Sequence, residues 1–291
     1  MSRNNEERLG IKNIDSDPPL DPSLLGMEEN SSPSPLSFAT PTEFVELPSK
    51  GKSYPQGHPL YNKEEVEIRF MTAKDEDILS SRTLLKKGIA IDRLIQNILV
   101  DKSIKVDNLL IGDKNAIIIA SRVTGFGSDY ETKVRCPMCS EHLEYSFDLD
   151  ECKAIEPNYE DLQKEGVTLT EDGTYTFELP RTKATVEVKL LTGADEKKLA
   201  KWAEKKKKFK LPESPLIDQL KMIIVSVEDN KDGHFVESFI ENMPALDARY
   251  FRKIYDQISP NVDMKQQFEC NVCDYEGDLE VPLTSDFFWP K

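Results

Sequence analysis

The sequence predicts an α+β protein: helical segments and small antiparallel sheets around a zinc-ribbon-like four-cysteine site formed by two Cys-x-x-Cys knuckles. Three observations carry this. Cys136-Pro137-Met138-Cys139 and Cys270-Asn271-Val272-Cys273 hold four of the five cysteines. Each pair is followed by apolar residues at a period of two, at Leu143, Tyr145, Phe147 and Leu149, and again at Leu279, Val281 and Leu283, as in half-buried strands. Between and before the knuckles the apolar period changes to about 3.6 in several stretches, as in amphipathic helices.

The residues 1–40 carry Asp17-Pro18-Pro19, Asp21-Pro22 and Ser31-Ser32-Pro33-Ser34-Pro35 with few aromatics. Such a composition buries too little apolar surface to offset ordering entropy, so a disordered arm is expected. Order is expected from Thr42 to Pro48, a short strand, followed by a glycine-centred turn over Ser49-Lys50-Gly51-Lys52-Ser53-Tyr54-Pro55 and a strand over Glu65–Phe70. Gly51-Lys52-Ser53 imitates the end of a phosphate-binding loop. Glu46 stands where that loop needs glycine, and Tyr54-Pro55 stands where it needs a helix.

From Thr72 an acidic start, a basic end and Gly88 predict a helix over 73–87. Ile91, Leu94, Ile95, Ile98 and Leu99 mark the buried side of a second helix over 89–99, and Asp113 is placed as the cap of a third that ends at Gly125-Phe126-Gly127. The first knuckle then completes a segment 41–152. A segment 153–260, read as an insertion, is expected to hold a hairpin of 174–179 with 184–190 and helices over 194–209, 215–228 and 244–258. Residues 261–291 supply the second knuckle and an aromatic tail, and the segments 134–149 and 268–283 form a weak internal repeat.

The chemistry of the cysteines follows from their spacing. A two-residue spacer lets one tight turn present two thiolates to one ion, and two such turns close a tetrahedral shell of Cys136, Cys139, Cys270 and Cys273 around structural zinc. Four thiolates leave no position for a reacting water. Two alternatives stand beside zinc: a redox dithiol, which needs a helix after the motif where a strand follows here, and a disulfide. Cys152 is read as a small core residue, and His142 as a substitute ligand that a closed shell does not need.

Composition narrows the function. The chain has 291 residues and a formal net charge of −15, which repels phosphate chains at long range. No apolar run is long enough to span a membrane, and the polar first thirty residues lack the apolar stretch of a signal peptide, so cytoplasmic folding is expected, where reduced thiols favour zinc over disulfides. The lysines of 197–210 crowd one helix, with Leu199, Ala200, Trp202 and Ala203 as its expected packing face; the alternatives are a solvated helix and a contact with an acidic protein or nucleic acid. His58, His142 and His234 are scattered, and no nucleophile, base or cofactor loop stands out, so an enzyme is not expected. The ending Phe287-Phe288-Trp289 is costly to leave in water, at roughly 150 Å2 of removable surface per ring, and is expected to dock on its own domain or on a neighbour.

Several stretches together resemble one family: Phe44 to Pro55, Met71 to Leu79, Ile111 to Ala116, Thr124 to Tyr130 and Phe287 to Pro290. They are similar to the baseplate hub proteins of T4-like contractile-tailed bacteriophages, over about residues 42–291. The resemblance implies a virion structural or baseplate assembly role, with other baseplate and hub proteins as partners, assembly in the host cytoplasm and no catalytic residues. Leu47, Pro48, Gly51, Tyr54, Pro55, Phe287, Phe288 and Trp289 are then the expected protein contacts. A nucleic-acid-binding or regulatory zinc ribbon is the competing function, resting on the lysine-rich helix alone.

Overall fold

A computed structural model describes residues 40–212, 214–283 and 285–288. The arm 1–39 and Trp289 lie outside the described residues. Strands β1 (Thr42–Glu46) and β2 (Glu65–Arg69) form an antiparallel hairpin with Val45 opposite Val66, both buried. The long turn between them closes tightly at Gly51, where φ is 70° and a Cβ would lie 2.3 Å from the Leu60 carbonyl oxygen. Only glycine fits there.

The helix expected over 73–87 is two helices, α1 (Ala73–Ser80) and α2 (Arg82–Lys86), separated by an extended Ser81. Leu79 is buried, whereas Arg82, Thr83 and Leu85 are exposed, so the core has no reason to hold one straight axis. Helix α3 (Ala90–Ile98) buries Leu94, Ile95 and Ile98 as its spacing predicts. Helix α4 (Ile111–Phe126) ends at Gly127 with φ 87°, but its N-cap is Leu110. Asp113 sits one turn inside and reaches across to another segment, a correction to its expected role as cap.

The first knuckle joins β3 (Asp129–Arg135) to β4 (His142–Asp148). Short elements come next: β5 (Lys153–Ile155), α5 (Tyr159–Lys164) and β6 (Thr168–Leu169). The expected hairpin is β7 (Tyr175–Glu178) with β8 (Thr185–Val188), and it leads into α6 (Gly193–Lys208). The helix expected over 215–228 stops early: α7 (Pro215–Ile223) gives way to β9 (Ile224–Val227), whose β-branched residues complete the sheet β6-β7-β8-β9. Helix α8 (Gly233–Glu241) has no counterpart among the expected elements. Helix α9 (Ala245–Ile258) leads through β10 (Asn261–Asp263) to the second knuckle hairpin, β11 (Lys265–Glu269) and β12 (Glu276–Glu280).

The second half of the described chain repeats the plan of the first. Glu46-Leu47-Pro48 at the end of β1 recurs as Glu178-Leu179-Pro180 at the end of β7. Val66-Glu67 in β2 recurs as Val186-Glu187 in β8, and Thr72-x-x-Asp75-Glu76 at the start of α1 recurs as Thr192-x-x-Asp195-Glu196 at the start of α6. Ile91-Asp92-x-Leu94 in α3 matches Ile217-Asp218-x-Leu220 in α7, and each half closes with a helix and a knuckle hairpin. The segment 153–260, expected as an insertion, holds most of this second copy.

The contacts repeat with the sequence. In both halves a threonine and an aspartate form a capping box, Thr72 with Asp75 and Thr192 with Asp195. The aspartate also pairs with a base at the end of the preceding strand or just past it, Arg69 at 2.7 Å or Lys189 at 2.7 Å. The halves are stitched together by Ile111 N–H to Leu191 O (3.2 Å), Gly193 N–H to Leu109 O (3.0 Å) and the β5-β10 pair. One connected apolar core runs through both.

Candidate metal centre

Each knuckle is built by the same backbone device. The Cys136 N–H donates to Glu141 O at 2.9 Å and the Ser140 N–H returns to Cys136 O at 2.9 Å; in the second knuckle Cys270 N–H donates to Tyr275 O at 2.8 Å and Asp274 N–H to Cys270 O at 3.0 Å. Ser140 and Asp274 both adopt a left-handed conformation, with φ of 63° and 55°. Serine and aspartate tolerate this poorly compared with glycine, and the paired hydrogen bonds hold them there.

The hairpins are then locked face to face. Tyr145 stacks edge-on against Phe268 with centroids 5.3 Å apart, and its hydroxyl donates to Gln267 O at 2.6 Å. Gln266 gives its amide N–H to Asp148 O at 2.6 Å and accepts from Asp148 N–H at 3.1 Å. Cysteines 131 and 137 positions apart in sequence are thereby brought together.

The four sulfurs of Cys136, Cys139, Cys270 and Cys273 lie within 4.8 Å of one another. The Cys136 and Cys273 Sγ atoms are 3.7 Å apart and those of Cys139 and Cys270 3.8 Å. A tetrahedron with metal–sulfur bonds of ~2.3 Å has edges of about 3.8 Å, whereas a disulfide needs ~2.05 Å. The first cysteine of each knuckle faces the last of the other, the reciprocal pairing of a two-fold arrangement. This cluster could hold a metal ion.

Charge in the cluster agrees with that use. Burial raises the Cys136 thiol, but the N–H groups of Cys139 and Met138 outweigh it and hold the pKa down to about 6. Burial and the neighbouring sulfurs push Cys273 up to about 12. Cys152 is half-buried beside Gln266 and is not in the cluster; His142 is exposed and is not in it either.

The expected protein contacts are mostly interior. Leu47, Pro48, Gly51 and Tyr54 are buried and Pro55 is exposed. Phe287 and Phe288 are buried in this chain's own core, Phe287 edge-on to Tyr130 at 5.0 Å. On α6, Lys197 bridges Asp92 (2.7 Å) and Asp107 (2.5 Å), and Lys206 bridges Asp218 (2.6 Å). Its expected packing face is not formed: Leu199 is half-buried, but Ala200, Trp202 and Ala203 are exposed. Beyond Leu199 the helix meets its neighbours through polar contacts, as at Lys206 with Asp218 and Ser214, so its apolar side chains there are left exposed.

Sequence reasoning did not foresee the burial of Asp75, Asp113, Asp195 and Asp247, each about one turn inside a helix. The signal was present as Thr-x-x-Asp for two of them. Asp75 accepts from Arg69, Thr72 and Asn97, and although burial raises its pKa these donors draw it down to about 2.

A duplicated hairpin-helix-knuckle plan closed by four facing thiols defines a zinc-ribbon-like α+β protein. Within that class, the chain belongs to the family described as T4 bacteriophage base plate protein, whose model matches residues 40–289. Comparisons with curated proteins and with solved structures gave no match. Among the described residues, no helix is long and apolar enough to cross a membrane.

Proposed function

We propose that this baseplate protein is a non-enzymatic structural or assembly subunit of the contractile tail, acting in the hub or inner baseplate through contacts with other phage proteins. The observation that carries this reading is the family match over nearly all the described chain. The four-thiolate cluster supports it from the chemical side. Thiolates alone select a soft or borderline ion such as zinc, and a closed shell of four serves structure. In this role zinc staples the two repeats at their knuckles and so fixes the surfaces that neighbours read. The family supports placement in the phage tail, and assembly in the infected host's cytoplasm is part of the same reading.

A nucleic-acid-binding zinc ribbon has one feature in its favour, the exposed lysines at the end of α6. Against it stand the net charge of −15 and the acids that already hold Lys197 and Lys206. The deciding experiment is reconstitution of the purified, metal-loaded chain with the other hub and wedge proteins of its phage. Stable co-migration in a defined stoichiometry is expected. No association with any of them, together with salt-sensitive binding to DNA, would overturn the reading.

A further inference from the structure

The two repeats differ at one sheet edge. In the second, β6 lies antiparallel along the outer edge of β7, with Thr168 opposite Thr176 and Leu169 opposite Tyr175. β7 and β8 match β1 and β2, and the bridge from Ile68 to Leu99 occupies the place of the β8-β9 pair. Nothing among the described residues occupies the place of β6 beside β1. By the shared Glu-Leu-Pro register that place falls at Glu43 and Phe44.

The backbone of β1 is directed for such a neighbour. Leu47 N–H donates to Glu64 O (2.8 Å) and Phe70 N–H to Pro41 O (2.9 Å). In an antiparallel pair the bonded residues alternate, so Glu43 and Val45 face β2 while the N–H and C=O of Thr42, Phe44 and Glu46 point to the open side. That side borders a groove of about 440 Å3. Its floor is the apolar face of α4 at Ala116, Ile119 and Val123, and its far wall is β5, which among the described residues pairs only with β10. Phe44 is 64% exposed, and the rim carries Glu43 and Asp150 against Lys153, with Glu46 beside them paired to Lys50.

An uncovered edge with its donors and acceptors aligned is a template for another strand. We infer that the open edge of β1 is a strand-addition site for an extended segment of a second polypeptide, with small apolar side chains alternating with lysine or arginine. The apolar residues meet the α4 floor and the cations meet the acidic rim. Backbone hydrogen bonds to Phe44 supply register, as Thr168 and Leu169 do on β7. The acidic rim disfavours nucleic acid at this face. The inference rests on the fold alone and stands whether or not the baseplate role is correct.

The test titrates the full, isotope-labelled chain with a short peptide alternating lysine and valine. Its control is the same peptide N-methylated at every second residue. Binding is expected with resonance shifts confined to residues 42–46 and 150–155, and methylation is expected to weaken it about tenfold or more by removing the edge hydrogen bonds. Phe44→Pro removes the outward N–H without touching a bond to β2, so it should leave the melting temperature nearly unchanged and abolish the peptide shifts. Phe44→Ala keeps the donor and should keep the shifts. Absent binding, equal binding of the methylated peptide, or unaltered binding by Phe44→Pro would each overturn the site. A concentration-dependent dimer that Phe44→Pro dissolves would assign the edge to a second copy of the chain and overturn it too.

Discussion

Asp113 and Asp247 occupy the same position in the two repeats and hold the same loop. Asp113 accepts from the Ser49 N–H at 3.0 Å, just after Glu46-Leu47-Pro48. Asp247 accepts from the Arg181 N–H at 2.7 Å and the Thr182 N–H at 3.0 Å, just after Glu178-Leu179-Pro180. In both, a buried carboxylate one turn into a long helix satisfies backbone donors of the turn that joins the two strands of the hairpin. Asp113 also accepts from the hydroxyls of Ser49 (2.6 Å) and Tyr54 (2.8 Å).

Removing either clamp leaves backbone N–H groups without their carboxylate partner, buried at Ser49 and exposed at Arg181 and Thr182. Asp113→Ala should destabilise the protein by about 3 kcal/mol, the cost of orphaning several buried donors, and Asp247→Ala by less, about 1–2 kcal/mol, because water can reach the N–H groups of the exposed Arg181 and Thr182. Ser49→Ala removes two hydroxyl bonds, the one given to Asp113 and the one accepted from the Gly51 N–H, and keeps the backbone bond to Asp113, so about 1–2 kcal/mol is expected. Urea denaturation followed by circular dichroism measures all three; a Ser49→Ala effect as large as that of Asp113→Ala would show the carboxylate to be incidental.

Metal content separates the cysteines. Cys136→Ser and Cys273→Ser should abolish stoichiometric zinc in the purified protein and lower its melting temperature, while Cys152→Ser should leave both near their parent values. Chelation should reproduce the first effect in the parent chain. Elemental analysis with thermal melts is the measurement, and equal metal in all three variants would show that the four thiols do not hold it.

Acid stability isolates Asp75. Its folded pKa of about 2 lies below its ordinary 3.8, so the unfolded chain takes up the proton first as pH falls. The stabilisation is therefore complete above pH ~4 and is lost on descent toward about 2. The gap in urea midpoint between the parent and Asp75→Asn should be widest near neutrality and narrow across that window. A gap constant from pH ~6 to ~2 would mean that the Arg69 pair contributes no charge-dependent stability.

The knuckles and most helices were legible because they rest on local signals: cysteine spacing, period-two strands and 3.6-period apolar faces. Local signal also explains the errors. Ile224 to Val227 extends the apolar run of α7 without a break, and only the neighbouring β8 makes it a strand. Trp202 looks like a packing residue until its stretch of α6 is seen to meet its neighbours through polar contacts. The duplication was legible only at the knuckles. Its other identities are short and shift in register, because the turn after Leu47 is longer than the turn after Leu179 and α8 has no counterpart in the first half. The Phe44 edge could not be read at all from one strand; it needs β6 on the other repeat for comparison.

Gly112 marks where the halves press closest. A Cβ there would lie 2.0 Å from the Pro260 carbonyl oxygen, in the segment that delivers the second knuckle. Backbone cannot swing aside as a side chain can, so Gly112→Ala should cost about 2 kcal/mol or more. Because the displaced strand leads to Cys270, the variant should also bind zinc more weakly than Gly233→Ala, whose Cβ meets nothing within 4 Å. Competition with a chromogenic chelator measures this, and equal affinities would uncouple the helix contact from the cluster.

Arg122 joins the aromatic tail to the root of the first knuckle. It is buried, and its guanidinium donates from Nε to Phe287 O (2.9 Å), from Nη1 to Gly127 O (2.8 Å) and from Nη2 to Asp129 O (3.1 Å). No carboxylate is among these partners, and burial lowers its pKa. Three carbonyls in three directions need a planar fork, which lysine lacks. Arg122→Lys should therefore behave almost as badly as Arg122→Ala, at about 3 kcal/mol, although it keeps the charge. Phe287→Ala should cost a similar amount through the cavity beside Tyr130. Combined with Arg122→Ala it should fall well short of the sum, because each change already frees the same tail. Full additivity in a double-mutant cycle would show that the phenylalanine packs without help from the arginine.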